Sequence, residues 1–262
     1  LEALVASVGT ASGGTTFTGF DRDGTNLDIG FGSSNKTTLG TADFFFVLGG
    51  STTGTKTTYK IANCCVNEAS IDFDIDGIAT INWSGMGTII TEDTAPTATV
   101  YEGVSSTSNF IRNRLSTLSA SSTSPTTATY DVVLTGGNVT ISNNMTFLTP
   151  ETLGLVNQPL GHVTGSRSVS GSFTCYLNAK ALSSADLFEN IVAGTTTITN
   201  DFDLTFKVGG ANTPRVELGM TNCHLEVPTH SIEDVISLET TFHALPTVID
   251  GTDELTIKYV GA

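Results

Sequence analysis

The chain has 262 residues, 39% of them hydrophobic, and carries 11 basic against 26 acidic side chains for a formal charge of −15. That length accommodates one large β domain or two small ones, and no run of about 18 apolar residues exists to cross a membrane as a helix. Phosphate neutralisation needs clustered Lys and Arg, and the densest group here is Arg112-Asn113-Arg114, so nucleic-acid binding is excluded as a function.

Threonine occurs 45 times and glycine 27 times, against 7 prolines. Thr is β-branched and suits a half-buried pleated surface, so the composition predicts an all-β fold with tight turns. The N-terminal Leu1-Glu2-Ala3-Leu4-Val5 shows no basic region before a long apolar run, hence no visible signal peptide. In chain order, Asp21-Arg-Asp-Gly-Thr-Asn-Leu-Asp28 echoes a calcium loop but lacks its register and closing Glu; a polar Asp-Gly turn is the simpler reading.

Asp43-Phe-Phe-Phe-Val-Leu-Gly-Gly50 opens a segment that recurs further on as Asp203-Leu-Thr-Phe-Lys-Val-Gly-Gly210. Asn63-Cys64 then matches Asn222-Cys223, Phe73-Asp74 falls on Ile232-Glu233, and Trp83-Ser-Gly85 falls on Phe242-His-Ala244. Thr88-Ile-Ile90 falls on Thr247-Val-Ile249, and Thr97 to Gly103 falls on Leu255 to Gly261. The offset drifts only from 160 (203 − 43) to 158 (261 − 103). The collinear order predicts an internal duplication, each copy a strand, Gly-Gly turn and strand followed by a strand pair around Asp76-Gly77. The expected division is a first β unit over 1–103, a Ser/Thr-rich linker or loop over 104–129, and a second β unit over 130–262.

Within the second unit, Tyr130 to Leu134 and Asn138 to Phe147 read as two strands around Gly136-Gly137. Leu148 to Leu160, bracketed by Pro150 and Pro159, is an apolar loop unusual inside a compact domain. Either it folds back on its own core or it reaches a neighbour. Ser184 to Ala193 predicts a short helix with a Ser N-cap, an apolar face at Leu187, Phe188, Ile191 and Val192, and Gly194 beyond its end.

Chemistry is thinly supported. No Gly-x-Ser-x-Gly elbow occurs, Gly165-Ser-Arg-Ser-Val169 being the nearest approach. Cys223-His224 with His230 and His243 does not match zinc spacing. Adjacent Cys64 and Cys65 on a regular strand point to opposite faces, and with Cys175 and Cys223 they read as buried free thiols. One Trp and five Tyr are few for stacking on sugars. No catalytic, cofactor or metal site is expected.

Val139-Thr-Ile-Ser-Asn-Asn-Met-Thr-Phe-Leu-Thr-Pro-Glu-Thr-Leu-Gly154, then Gly165-Ser-Arg-Ser-Val-Ser-Gly-Ser-Phe-Thr-Cys-Tyr-Leu177, the helix at Ala185, and Asn222 to Ala244 together resemble the tail tube proteins of long-tailed bacteriophages. The resemblance covers about half of the chain directly, and the first half through the duplication. It implies tandem tube-type β-sandwich or barrel units with one short flanking α-helix. It implies self-assembly into stacked rings that make a hollow conduit for DNA in the virion, alongside other phage tail proteins, with DNA passing unbound. Two units per chain give homotrimeric rings with pseudo-sixfold symmetry, a hexamer being the alternative. Under this reading Leu148, Pro150, Leu153, Leu155, Val156, Pro159 and Leu160 form a subunit or ring interface, and Asp74, Asp76, Asp201 and Asp203 face the lumen. Two other classes fit a polar β-sandwich: a capsid decoration protein, and a secreted module binding glycans or calcium.

Overall fold

A computed structural model describes residues 26–30, 41–48, 57–94, 111–123, 126–149, 159–193, 201–211, 215–232, 235–249, 251 and 253–260. The acidic stretch 21–25, the loop core 150–158 and the segment 97–103 lie outside the described residues. Strands dominate, with one α-helix, as the Thr-rich sequence predicts.

Two layers of six strands face each other. In the first, β4 (Thr80–Met86), the second part of β3 (Thr57–Asp74), β8 (Leu134–Ser142), β11 (Ser168–Tyr176), β15 (Ile236–Ala244) and β14 (Thr229–Ile232) pair in that order, all antiparallel. In the second, β7 (Ala128–Val132), β6 (Thr117–Ser122), β12 (Phe202–Val208), β13 (Arg215–Leu225), β16 (Thr256–Val260) and β1 (Asn26–Gly30) pair likewise. The end of β13 crosses over to pair with β15, so the layers are one continuous sheet folded on itself. Neither layer closes into a barrel among the described residues. Outside the layers, β2 (Ala42–Leu48) and β5 (Ile89–Asp93) flank the first part of β3, and β9 (Thr146–Leu148) pairs with β10 (Gly161–Val163) as a separate ribbon.

Alternation sets the core. Ala69, Ile71 and Phe73 of β3, Val139 and Ile141 of β8, and Val169 and Phe173 of β11 turn inward at every second position. They meet Leu204 and Phe206 of β12 and Leu118 and Ala120 of β6. Phe206 is fully buried at the centre, its ring 5.5 Å from Phe73, 5.6 Å from Phe242 and 6.2 Å from Phe173. Gly171 has no room for a side chain: a Cβ there would strike the Asn138 carbonyl and the Phe242 ring.

Two expectations need correction, on the linker and on the helix face. The Ser/Thr-rich stretch expected as a linker over 104–129 includes β6, because Leu118, Ala120 and Ser122 alternate inward and bury completely or nearly so. Low complexity hid a strand in which Thr117, Ser119 and Ser121 face away from the core. Cys64 and Cys65 are both buried free thiols, as expected, just after Asn63 adopts φ 51°. The helix, α1 (Ser184–Ala193), lies where expected and packs on β7, but Val192 is exposed while Asn190 is buried. Asn190 donates Nδ2–H to the Tyr130 hydroxyl at 2.8 Å, which accounts for a polar residue on the inward face.

Phe206→Ala is expected to lower unfolding stability by about 3–5 kcal/mol in urea titration. A loss below about 1 kcal/mol would contradict its place at the centre of the core.

Candidate functional site

The outward face of the first layer carries polar side chains, interrupted in its four paired rows only by Gly136. Cross-strand partners set it in rows. Asn82, Ser70, Thr140, Ser170 and His243 form one; Ser84, Glu68, Ser142 and Ser168 another. Thr80, Asp72, Asn138, Ser172 and Thr241 form a third, and Asp74, Gly136, Thr174, Glu239 and Thr229 a fourth. Asp72 accepts Nδ2–H of Asn82 at 2.7 Å, and Thr241 Oγ1 donates to Glu226 at 2.5 Å. The rows carry Glu68, Asp72, Asp74 and Glu239 and hold no Lys or Arg. Alternation explains this: the same strands put Ile71, Phe73, Val139 and Phe173 on the other face.

The four acids singled out from sequence separate in space. Asp74 ends the fourth row and is exposed, and Asp76 is exposed in the turn that follows, where Gly77 N–H donates to the Asp74 carbonyl at 3.3 Å. Asp201 accepts the Thr123 hydroxyl at 2.5 Å, beside β12 in the second layer. Asp203 lies on β12 and accepts the backbone N–H of Asn222 at 3.4 Å. Sequence reasoning missed Glu68, Asp72 and Glu239; their alternation with apolar neighbours was the available signal.

Asp203 belongs instead to a clasp that occurs twice. Its counterpart Asp43 accepts Asn63 N–H at 2.9 Å and forms an ion pair with Lys60 at 2.7 Å. The Lys60 ammonium, then the Asn63 amide, hold the Asp43 carboxyl below its ordinary range. Asn63 and Asn222 both take left-handed backbone, φ 51° and 56°, which Asn tolerates better than most residues. In each place the ladder slips by one residue: Ala42–Cys64 then Phe44–Ile61, and Phe202–Cys223 then Leu204–Met220. Each is a β-bulge that bends its strand, and each is followed by a buried Cys whose thiol donates to the carbonyl three residues back.

The apolar loop is carried on the β9–β10 ribbon. Leu160 N–H donates to the Leu148 carbonyl at 2.9 Å and closes its neck. Asn143 fixes the ribbon to β3 through Nδ2–H to the Val66 carbonyl at 2.9 Å, and Asn144 Nδ2–H holds the Ser166 carbonyl at 2.7 Å. Leu148 and Leu160 at the neck are exposed, Leu160 at 74%. Pro159 is partly buried, while Pro150, Leu153, Leu155 and Val156 lie outside the described residues.

Reactive chemistry finds little footing. The Cys65 thiol lies 3.3 Å from His162 Nδ1, but burial pushes it up to about 11, so it stays protonated near neutrality. Burial likewise raises Cys175 to about 11 and Cys223 to about 12. Among the described residues no three His, Cys, Asp or Glu side chains gather to hold a metal, and no helix is long and apolar enough to cross a membrane. Arg167 pairs with Glu254 at 2.6 Å, tying β11 to the segment before β16.

A thiol raised above its unfolded value stabilises the fold fully below that unfolded value, about 8.5, and the contribution fades as pH climbs through the folded value. The stability gap between wild type and Cys223→Ala is therefore expected to shrink between about pH 9 and 12, measured by urea unfolding. A gap that widens with pH would contradict the neutral buried thiol.

A family model described as phage tail tube protein matches residues 2–254. The tail tube protein pb6 of Escherichia phage T5 is 32% identical over 209 residues, covering 76% of this chain. The chain spans 45% of that relative's length. With a match over nearly its whole length, the chain belongs to the phage tail tube protein family.

Proposed function

We propose that this chain is a structural, non-catalytic component of a phage virion that polymerises with copies of itself into stacked rings. The rings form the hollow tail tube through which DNA leaves the capsid. The observation that carries this reading is the outward face of the first layer, whose four rows are Ser- and Thr-rich with Glu68, Asp72, Asp74 and Glu239 and hold no Lys or Arg. A wall of that kind repels a polyanion at range and offers no Lys or Arg to hold it, as a conduit requires. Asp74 and Asp76 then border the lumen, and Asp203 and Asp43 hold bends in the wall.

Two tandem units per chain, each marked by its Asp–Asn clasp, support a ring of three chains with pseudo-sixfold symmetry. A contact between unlike surfaces closes into such rings. The β9–β10 ribbon presents its apolar loop to a neighbouring subunit or ring. Other tail proteins meet the tube at its ends, and assembly takes place in the bacterial host before the tail is complete.

Replacing residues 149–160 by an Asn-Gly turn keeps Leu148 opposite Gly161 and is expected to give a folded chain, by circular dichroism, that no longer polymerises. Polymerisation at the wild-type level would remove the loop from the interface. Glu68→Lys, Asp74→Lys and Glu239→Lys combined are expected to give tubes that retain duplex DNA at low salt and release it as salt rises, in a filter-retention assay. Tubes of this variant that ignore DNA would place these residues away from the lumen.

A further inference from the structure

Four histidines occur in the chain, and the fold sets two of them directly opposite each other. His162 lies against Cys65, and the His230 ring meets Phe188 edge to face at 4.9 Å. His224 of β13 and His243 of β15 are instead cross-strand partners, where the end of β13 passes from the second layer to the first. Cys223 with Ala244 and Leu225 with Phe242 flank them in register, and all four of these residues are buried. Alternation therefore sends both imidazoles to the opposite, outward face. Side chains in that relation have Cβ atoms about 4.5–5.5 Å apart, close enough for two rings to share one ion.

The two rings differ in surroundings. His224 is half-buried, and its Nδ1 is shut away from solvent with no hydrogen-bond partner. Buried polar atoms are normally satisfied, and one that is not costs stability, so this nitrogen has a place for a ligand. The His243 side chain is 56% exposed, and its Nε2 lies 3.9 Å from Glu226 Oε1. Glu226 is itself held by the Thr241 hydroxyl. A carboxylate beside one nitrogen of an imidazole orients the ring and makes its other nitrogen a better metal ligand, so Nδ1 of His243 is the atom turned to that use.

We infer that His224 and His243 together bind a divalent transition-metal ion of the nickel, copper or zinc kind, with water completing its coordination. Neutral imidazole suits these ions, whereas Mg2+ and Ca2+ take oxygen ligands. Among the described residues no third His, Cys, Asp or Glu joins the pair, so the site is a two-ligand clip that exchanges its ion readily. It spans β13 and β15 at the one place where the end of β13 joins the first layer, so a bound ion fastens the fold of the sheet on itself. It also brings positive charge to the end of the row that runs through Ser170, Thr140, Ser70 and Asn82.

The test is titration of the purified chain with Ni2+, followed by calorimetry and by urea unfolding. One ion per chain is expected to bind, and saturating Ni2+ is expected to raise the urea midpoint, since an ion held only by the native pair stabilises by mass action. Mg2+ at the same concentration is expected to do neither. His243→Asn changes an exposed side chain and is expected to remove the midpoint shift. It is expected to weaken Ni2+ binding at least about tenfold, the least that loss even of a supporting residue costs a metal site. His224→Asn is expected to act in the same way. His230→Ala removes an exposed histidine outside the pair and is expected to leave both readouts unchanged. Absence of Ni2+ binding by the wild-type chain overturns the inference, as does binding that survives His243→Asn or is lost equally in His230→Ala.

Discussion

The structure depends on a single strand being able to change direction without losing its hydrogen bonds. A straight antiparallel ladder would carry β3 and β13 past the core in one plane. At Asn63 and Asn222 the backbone turns left-handed, one residue is squeezed out of the ladder, and an aspartate on the neighbouring strand captures the amide that would otherwise be orphaned. Each strand then serves two sets of partners, β3 with β2 and β5 before the bend and with β4 and β8 after it. Because the bend follows the strand, Phe73 can reach Phe206, and the polar rows can form an uninterrupted face on the opposite side.

Much of this was legible in the sequence, and the reason is local chemistry. A left-handed bulge needs Asn or Gly, and its amide needs an acceptor at a fixed place on the next strand. Hence Asp43 with Asn63 and Asp203 with Asn222 stand at nearly the same spacing. The helix was legible from its periodicity, and the all-β character from threonine. The β9–β10 neck was hinted at by the prolines flanking its loop.

What escaped the sequence depends on contacts distant along the chain. The match of Trp83 with Phe242 does not survive as a register: Leu225 faces Phe242, while Val66 faces Gly85, two residues further along. The strand that pairs with β3 as β16 pairs with β13 is Ile89–Asp93. In β6, Ser and Thr mask a strand because only three side chains need to face inward. The acids of the polar face are scattered over β3 and β15 and meet only when β8 and β11 lie between them.

Sheet edges and exposed apolar loops usually endanger a soluble protein. Under the proposed tube reading they become the means of assembly, while the polar face is kept for the passage. The most direct measurement of this account is electron microscopy of the purified protein across a range of concentrations, with averaging of end views. The account predicts hollow rings or tubes with threefold symmetry and six lobes around an open centre. Assemblies without an open centre, or a chain that stays monomeric at every concentration, would contradict it.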